Sequence, residues 1–180
     1  MKRPFFVLAL TGVLMAPGST LAVLLTYEFG GTFESAVGQT YAGQAFLGSF
    51  SYQTAGANPQ TGLATLSVPG LSVSLADPAA QVTFDFAADT VSVLGVDTTT
   101  WALTINTASV GWDLQPPVGP LPAEVLANAS TSARLVATGN TGAVLGEGPL
   151  GNLALVPEPV TLALMGLGLA GLGWNRRRAF

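Results

Sequence analysis

The sequence predicts an all-β domain, a β-sandwich or related barrel of about ten short antiparallel strands, flanked by an N-terminal signal helix and a C-terminal transmembrane helix. Three observations carry that prediction. Apolar residues recur at every second position over short stretches, the period of a strand with one buried face. Gly 22 and Pro 12 among 180 residues punctuate those stretches, and such residues end strands and make turns. Charged residues are 9% of the chain, against roughly 25% in an average soluble domain, so few side chains remain to clothe surface helices.

Taken in order, Leu25 to Phe29 and Ala45 to Tyr52 read as strands, with bulges or close approaches expected at their glycines. Leu63 to Val68 and Leu71 to Leu75 are shorter candidates. In Val82-Thr83-Phe84-Asp85-Phe86 the apolar residues share one face. Val91 and Val93 repeat the pattern after a turn-like Ala87-Ala88-Asp89-Thr90, which makes an antiparallel hairpin the natural pairing. Trp101, Leu103 and Ile105 alternate with polar or small residues, as do Val110, Trp112 and Leu114. Gln115 to Pro122 carries four prolines and reads as a long loop. Arg134 to Ala137 and Ala143 to Leu145 are the last strand candidates, and the Gly-rich stretch after Gly139 reads as strands fading into a linker.

Both ends of the chain differ from this middle. Lys2 and Arg3, an apolar run from Phe5 to Met15, a Pro17-Gly18 break and the small residue Ala22 have the layout of a cleaved secretory signal over residues 1–22. The apolar run is far below the ~20 residues needed to span a bilayer. At the other end, Pro157-Glu158-Pro159 precedes an uncharged run from Val160 to Gly173, then Trp174 and Arg176-Arg177-Arg178. Two prolines flanking Glu158 prevent a helix from running back through it, which leaves an extended neck open to a protease. The run itself, at ~1.5 Å per residue, reaches only about 21 Å as a helix, short of a ~30 Å hydrocarbon core. Trp174 at the interface and Leu153 to Val156 beyond the prolines are expected to help it insert. The arginines should stay cytoplasmic, placing everything before Pro157 on the outer side.

This tripartite tail resembles the PEP-CTERM sorting signal of Gram-negative bacteria. Pro157, Glu158 and Pro159 correspond to its motif, Leu162 to Gly173 to its Leu/Gly-rich span, and Arg176, Arg177 and Arg178 to its basic stop. The resemblance implies recognition by an exosortase, a membrane protease or transpeptidase, in a producer of extracellular polysaccharide. The expected organisation is therefore a signal peptide at 1–22, an exported β-domain at 23–150, and a linker with sorting signal at 151–180. That last segment comprises the motif at 157–159, a membrane span at 160–174 and a basic tail at 176–178.

Composition also limits the chemistry of the domain. The chain has no Cys and no His, so disulfides, thiolate nucleophiles and the common zinc, haem and iron–sulfur ligand sets are absent. Nine of the ten acids but only one base, Arg134, fall between Val23 and Val156, a balance of −8. Such a domain repels phosphate backbones, which excludes nucleic acid. A serine nucleophile would have neither His nor Lys to take its proton once the signal is removed. Glu28, Glu34, Glu124 and Glu147 are available for carboxylate chemistry, but no spacing places two together. The domain is expected to be non-enzymatic and without cofactor. Asp85, Asp89 and Asp97 are weak calcium candidates, because oxygen ligands suffice for that ion but no EF-hand-like loop is present. Trp101, Trp112 and Tyr41 would stack on sugar rings if exposed, whereas the strand phase of the two tryptophans puts them in the core.

The expected role is an exported surface or extracellular-matrix protein, an inner-membrane intermediate before delivery. Its partners are the inner membrane, transiently, an exosortase, and extracellular polysaccharide. The alternative is a permanently anchored carbohydrate-binding or calcium-binding module.

Overall fold

Strand period and turn chemistry together build a single antiparallel sheet that closes on itself. The computed structural model describes residues 22–95 and 99–157. Among them, eight strands follow one another around an up-and-down barrel: β1 (Leu24–Thr32), β2 (Ala45–Gln53), β3 (Gln60–Val68), β4 (Val73–Asp85), β5 (Thr90–Gly95), β6 (Thr99–Asn106), β7 (Ala133–Gly139) and β8 (Val144–Val156). β1 pairs with both β2 and β8, so no edge strand is left. The expected hairpin is present, with Asp85 opposite Thr90 and Val82 opposite Val93.

An eight-stranded barrel is just wide enough for side chains to fill, and aromatic rings do most of the filling. Tyr27 stacks on Phe50 with ring centroids 5.3 Å apart and on Tyr52 at 5.7 Å. Tyr52 meets Phe84 edge-on at 5.1 Å, and Phe29 leans on Trp101 at 6.1 Å. Towards the opposite end, Phe33 packs between Phe46 and Tyr41. Rings of this size need empty neighbours. Gly48 faces inward beneath Phe29, where an added Cβ would lie 2.7 Å from Phe29 Cε2, and Gly95 leaves room for the Trp101 indole.

The outward positions are largely polar: Thr26 and Glu28 on β1, Ser49 and Ser51 on β2, Thr65 and Ser67 on β3, Thr83 and Asp85 on β4. That is the reverse of a lipid-facing barrel, whose outer face is an apolar band. No helix among the described residues is long and apolar enough to cross a membrane. The expected signal helix and the expected span at 160–174 lie outside the described residues.

The strand count is corrected from about ten to eight, for two physical reasons. Leu71 to Leu75 and Val82 to Phe86 supply the two ends of one long strand, β4, which passes through Asp77-Pro78 at a register shift against β3. A bulge tolerates a residue without an N–H where a regular ladder would not. Val110 to Leu114 is no strand: a 3₁₀ turn over Ala108–Val110 ends at Gly111, and irregular backbone follows. The Gly-rich stretch read as fading into a linker is instead β8, thirteen residues long, whose strand structure includes 151–156.

Asn106 and Ala133 are joined by a long segment that folds over one barrel end. It holds the proline-rich loop and two short helices, α1 (Ala123–Ala127) and α2 (Ala129–Ser132), with Leu114, Val118, Leu121, Val125 and Ala129 buried. Its first turn is tied to the β4–β5 hairpin, since Thr107 donates to the Asp89 carbonyl through both N–H and hydroxyl and Leu114 N–H donates to Asp89 Oδ1. Two tyrosines hold its middle. Leu121 N–H donates to the Tyr27 hydroxyl at 2.8 Å, and the Tyr52 hydroxyl donates to the Gly119 carbonyl at 2.8 Å.

Candidate functional site

Alternating strand direction brings the start of β1 and the end of β8 to the same rim, the one covered by the 107–132 segment. Thr26 pairs with Val156, Tyr27 with Leu155, Glu28 with Ala154 and Phe29 with Leu153. Leu153 is 4% exposed and belongs to the core, whereas Leu155 is 38% exposed. Pro157 follows directly, outside any strand and exposed. The neck before the expected sorting motif is therefore barrel wall. Leu153 to Val156, expected to help a membrane span insert, are committed to β8 instead, because a buried Leu153 anchors the strand. Across the same rim, Val23 exchanges hydrogen bonds with Thr54, donating to its Oγ1 and accepting its N–H, each at 2.9 Å. Ala22 and Val23, the residues on either side of the expected signal cleavage, are exposed and precede β1.

Of the expected sorting residues, Pro157 is the one described. Glu158, Pro159, Arg176, Arg177 and Arg178 lie outside the described residues. The calcium candidates do not converge. Asp85 Oδ1 accepts from Ala87 and Ala88 N–H and so closes the hairpin turn, and Asp89 Oδ1 is taken by Leu114. Asp97 lies outside the described residues, among which no group of three or more acidic side chains forms a metal cluster. Trp101 and Tyr41 are core residues, and Trp112 packs half-buried against the core, so these three form no platform for a sugar. The phase of Trp101 foretold its burial; that of Trp112 rested on a strand that is not there.

One arrangement escaped sequence reasoning. Arg134 on β7 holds Glu34 with both guanidinium nitrogens at 3.0 Å and reaches Glu147 on β8 at 3.5 Å. Its hydrogen bonds hold the Glu34 carboxyl below the ordinary carboxylate value, and the two carboxylates raise Arg134 in turn. All three side chains are well exposed, so the pair contributes little to stability. On the outer wall, Glu28, Ser49, Thr65, Ser67 and Asn152 line a shallow open groove of about 380 Å³. Ser49 and Thr65 spend their hydroxyls on one another across it at 2.8 Å.

No curated protein and no solved structure matches the chain. A family model does match its end, over residues 155–178. The match starts two residues before the motif tripeptide and inside β8, and it runs through the apolar stretch to the last arginine. By that match, the chain carries the PEP-CTERM protein-sorting motif at its C-terminal end.

Proposed function

We propose that the chain is an exported, non-enzymatic barrel protein, held briefly in the inner membrane by its tail and passed by an exosortase to the cell surface or extracellular matrix. The PEP-CTERM motif implies export and exosortase sorting, and it is the observation that carries the reading. The position of the motif supports it: Pro157, its first residue, leaves β8 at the barrel rim and is exposed. Processing breaks one peptide bond at or near Pro157-Glu158-Pro159 and passes the acyl carbon to water or to an acceptor amine. Either way the barrel is freed from the apolar run and the arginines.

A structural rather than catalytic role is supported by the contents of the domain. It has no His or Cys, and its aromatic side chains fill the barrel interior. The residues named for sugar stacking contribute to that filling, and Asp85 and Asp89 serve turns, so no observation favours the alternative of an anchored binding module.

Mass spectrometry of the mature C-terminus tests the proposal. The expected product lacks Trp174 and the arginines, and replacing Pro157, Glu158 and Pro159 by alanine should leave full-length chain in the membrane fraction. A mature protein that retains Arg176 to Arg178 refutes it.

A further inference from the structure

We propose that Leu155 and Val156 are shared between barrel closure and protease recognition, so that processing requires this end of β8 to leave β1. The proposal rests on the exosortase reading above. Its observation is an overlap: the sorting-motif match begins at Leu155, while β8 ends at Val156. Both residues are paired, Leu155 with Tyr27 and Val156 with Thr26. A protease that takes its substrate as an extended segment bonds the substrate backbone itself, as in strand addition. In an antiparallel ladder alternate residues turn both their N–H and C=O to the partner, so every second residue along 153–156 has its backbone groups held by β1. The same groups cannot serve both partners at once.

Burial sets how far the release runs. Ala154 and Leu155, at 38%, are exposed and Val156 is half-buried, so the tip of β8 loses less apolar contact on detaching than Leu153 would. Leu153, at 4%, lies in the core beside the Phe29 pairing and resists. The fold thus makes two residues upstream of Pro157 available to the enzyme and withholds Leu153, leaving the product's barrel closed.

The chain has no cysteine, so Thr26→Cys with Val156→Cys adds one cross-strand pair and no competitor. Antiparallel partners sit about 4.5 to 5.5 Å apart between Cα atoms, inside the range of roughly 4.4 to 6.8 Å that a disulfide accepts. The full-length chain is pulse-labelled in cells that carry an exosortase, and conversion to the processed form is followed on gels with and without reductant. A reductant-sensitive mobility shift reports that β1 and β8 have paired, so a misfolded variant is recognised. The expected result is processing at least tenfold slower in the stapled chain than in either single-cysteine variant. Inserting Gly-Ser-Leu-Val between Val156 and Pro157 should restore it, because the motif then has a free copy of its upstream residues. Processing of the stapled chain at the single-variant rate overturns the proposal, as does failure of the insertion to restore it. The chain with alanines at 157–159 separates the two ideas: if it is still processed, the exosortase reading falls, whatever the staple does.

Discussion

Replacing Tyr27 by Phe removes one oxygen atom and leaves the aromatic stack in place, so it isolates the bond that pins the 107–132 segment to the barrel. Leu121 N–H gives its hydrogen to that oxygen at 2.8 Å in a buried setting. Without it the donor is orphaned away from water, which costs about 1 to 3 kcal/mol. The matching change at Tyr52 removes a donor from the Gly119 carbonyl, which is only half-buried and within reach of water. That loss should stay near the net worth of one hydrogen bond, about 0.5 to 1.5 kcal/mol. The two hydroxyls lie 3.4 Å apart, a contact too long to couple the changes strongly. The barrel closes between Leu24 and Val156 without any strand from elsewhere, so a 22–157 fragment is a self-sufficient unit for urea unfolding. A 2 kcal/mol loss moves the midpoint by about 1 M for a urea slope near 2 kcal/mol per M. Hydrogen exchange at the Leu121 amide should accelerate in Tyr27→Phe and remain slow in Tyr52→Phe. A larger cost at Tyr52 than at Tyr27, or an unchanged Leu121 exchange rate, refutes the assignment of that bond.

Burial raises the phenol groups of Tyr27 and Tyr52 above the ordinary value of 10.0, and for Tyr52 the neighbouring Tyr27 adds to the rise. Below that value both states keep the protons and stability is unaffected; as pH rises beyond it the unfolded chain releases protons the native state retains, so stability falls. Absorbance titration at alkaline pH should show these two phenols ionising together with unfolding. Gly48→Ala forces a methyl against the Phe29 ring and the Thr65 carbonyl, for an overpacking cost of about 1 to 3 kcal/mol, partly offset by about 0.5 to 1 kcal/mol of backbone entropy. Gly119→Ala, where an added Cβ meets nothing within 4 Å, is the control and should melt with the wild type. Arg134→Gln should return Glu34 towards 4.5 in an NMR titration. Any stability Glu34 contributes through Arg134 is present above pH 4.5 and disappears as pH falls through its lowered value, so the variant should differ from wild type only above that range.

What the sequence revealed followed the range of each interaction. β5, β6 and the β4–β5 hairpin were legible because their alternation and their turn are local. β8 was not, since Gly146 and Gly148 stand where a strand pattern would show large apolar residues; Phe33 and Tyr41 side chains occupy the space at Gly146, and the backbone of Thr32 and Phe33 occupies it at Gly148. The unity of β4 was hidden by Asp77-Pro78, whose bulge is defined only by its partner strand. Barrel closure itself depends on β1 meeting β8, a register no local pattern encodes. The sorting motif was legible because Pro157-Glu158-Pro159, the apolar run and the arginines stand consecutively in the sequence. The Arg134 clasp was missed because Glu34 lies a hundred residues away.

The β1–β8 pairing has a consequence for the order of events during export. Seven of the eight strand pairings join neighbours in the chain, and these can zip as the polypeptide emerges; the eighth is a seam between the first strand and the last. Until Val144 to Val156 have crossed, β1 presents bare backbone groups along one side, open to mispairing with other chains. The residues that seal this seam are followed at once by the sorting motif, so the last strand to close the barrel is also the one that delivers the motif.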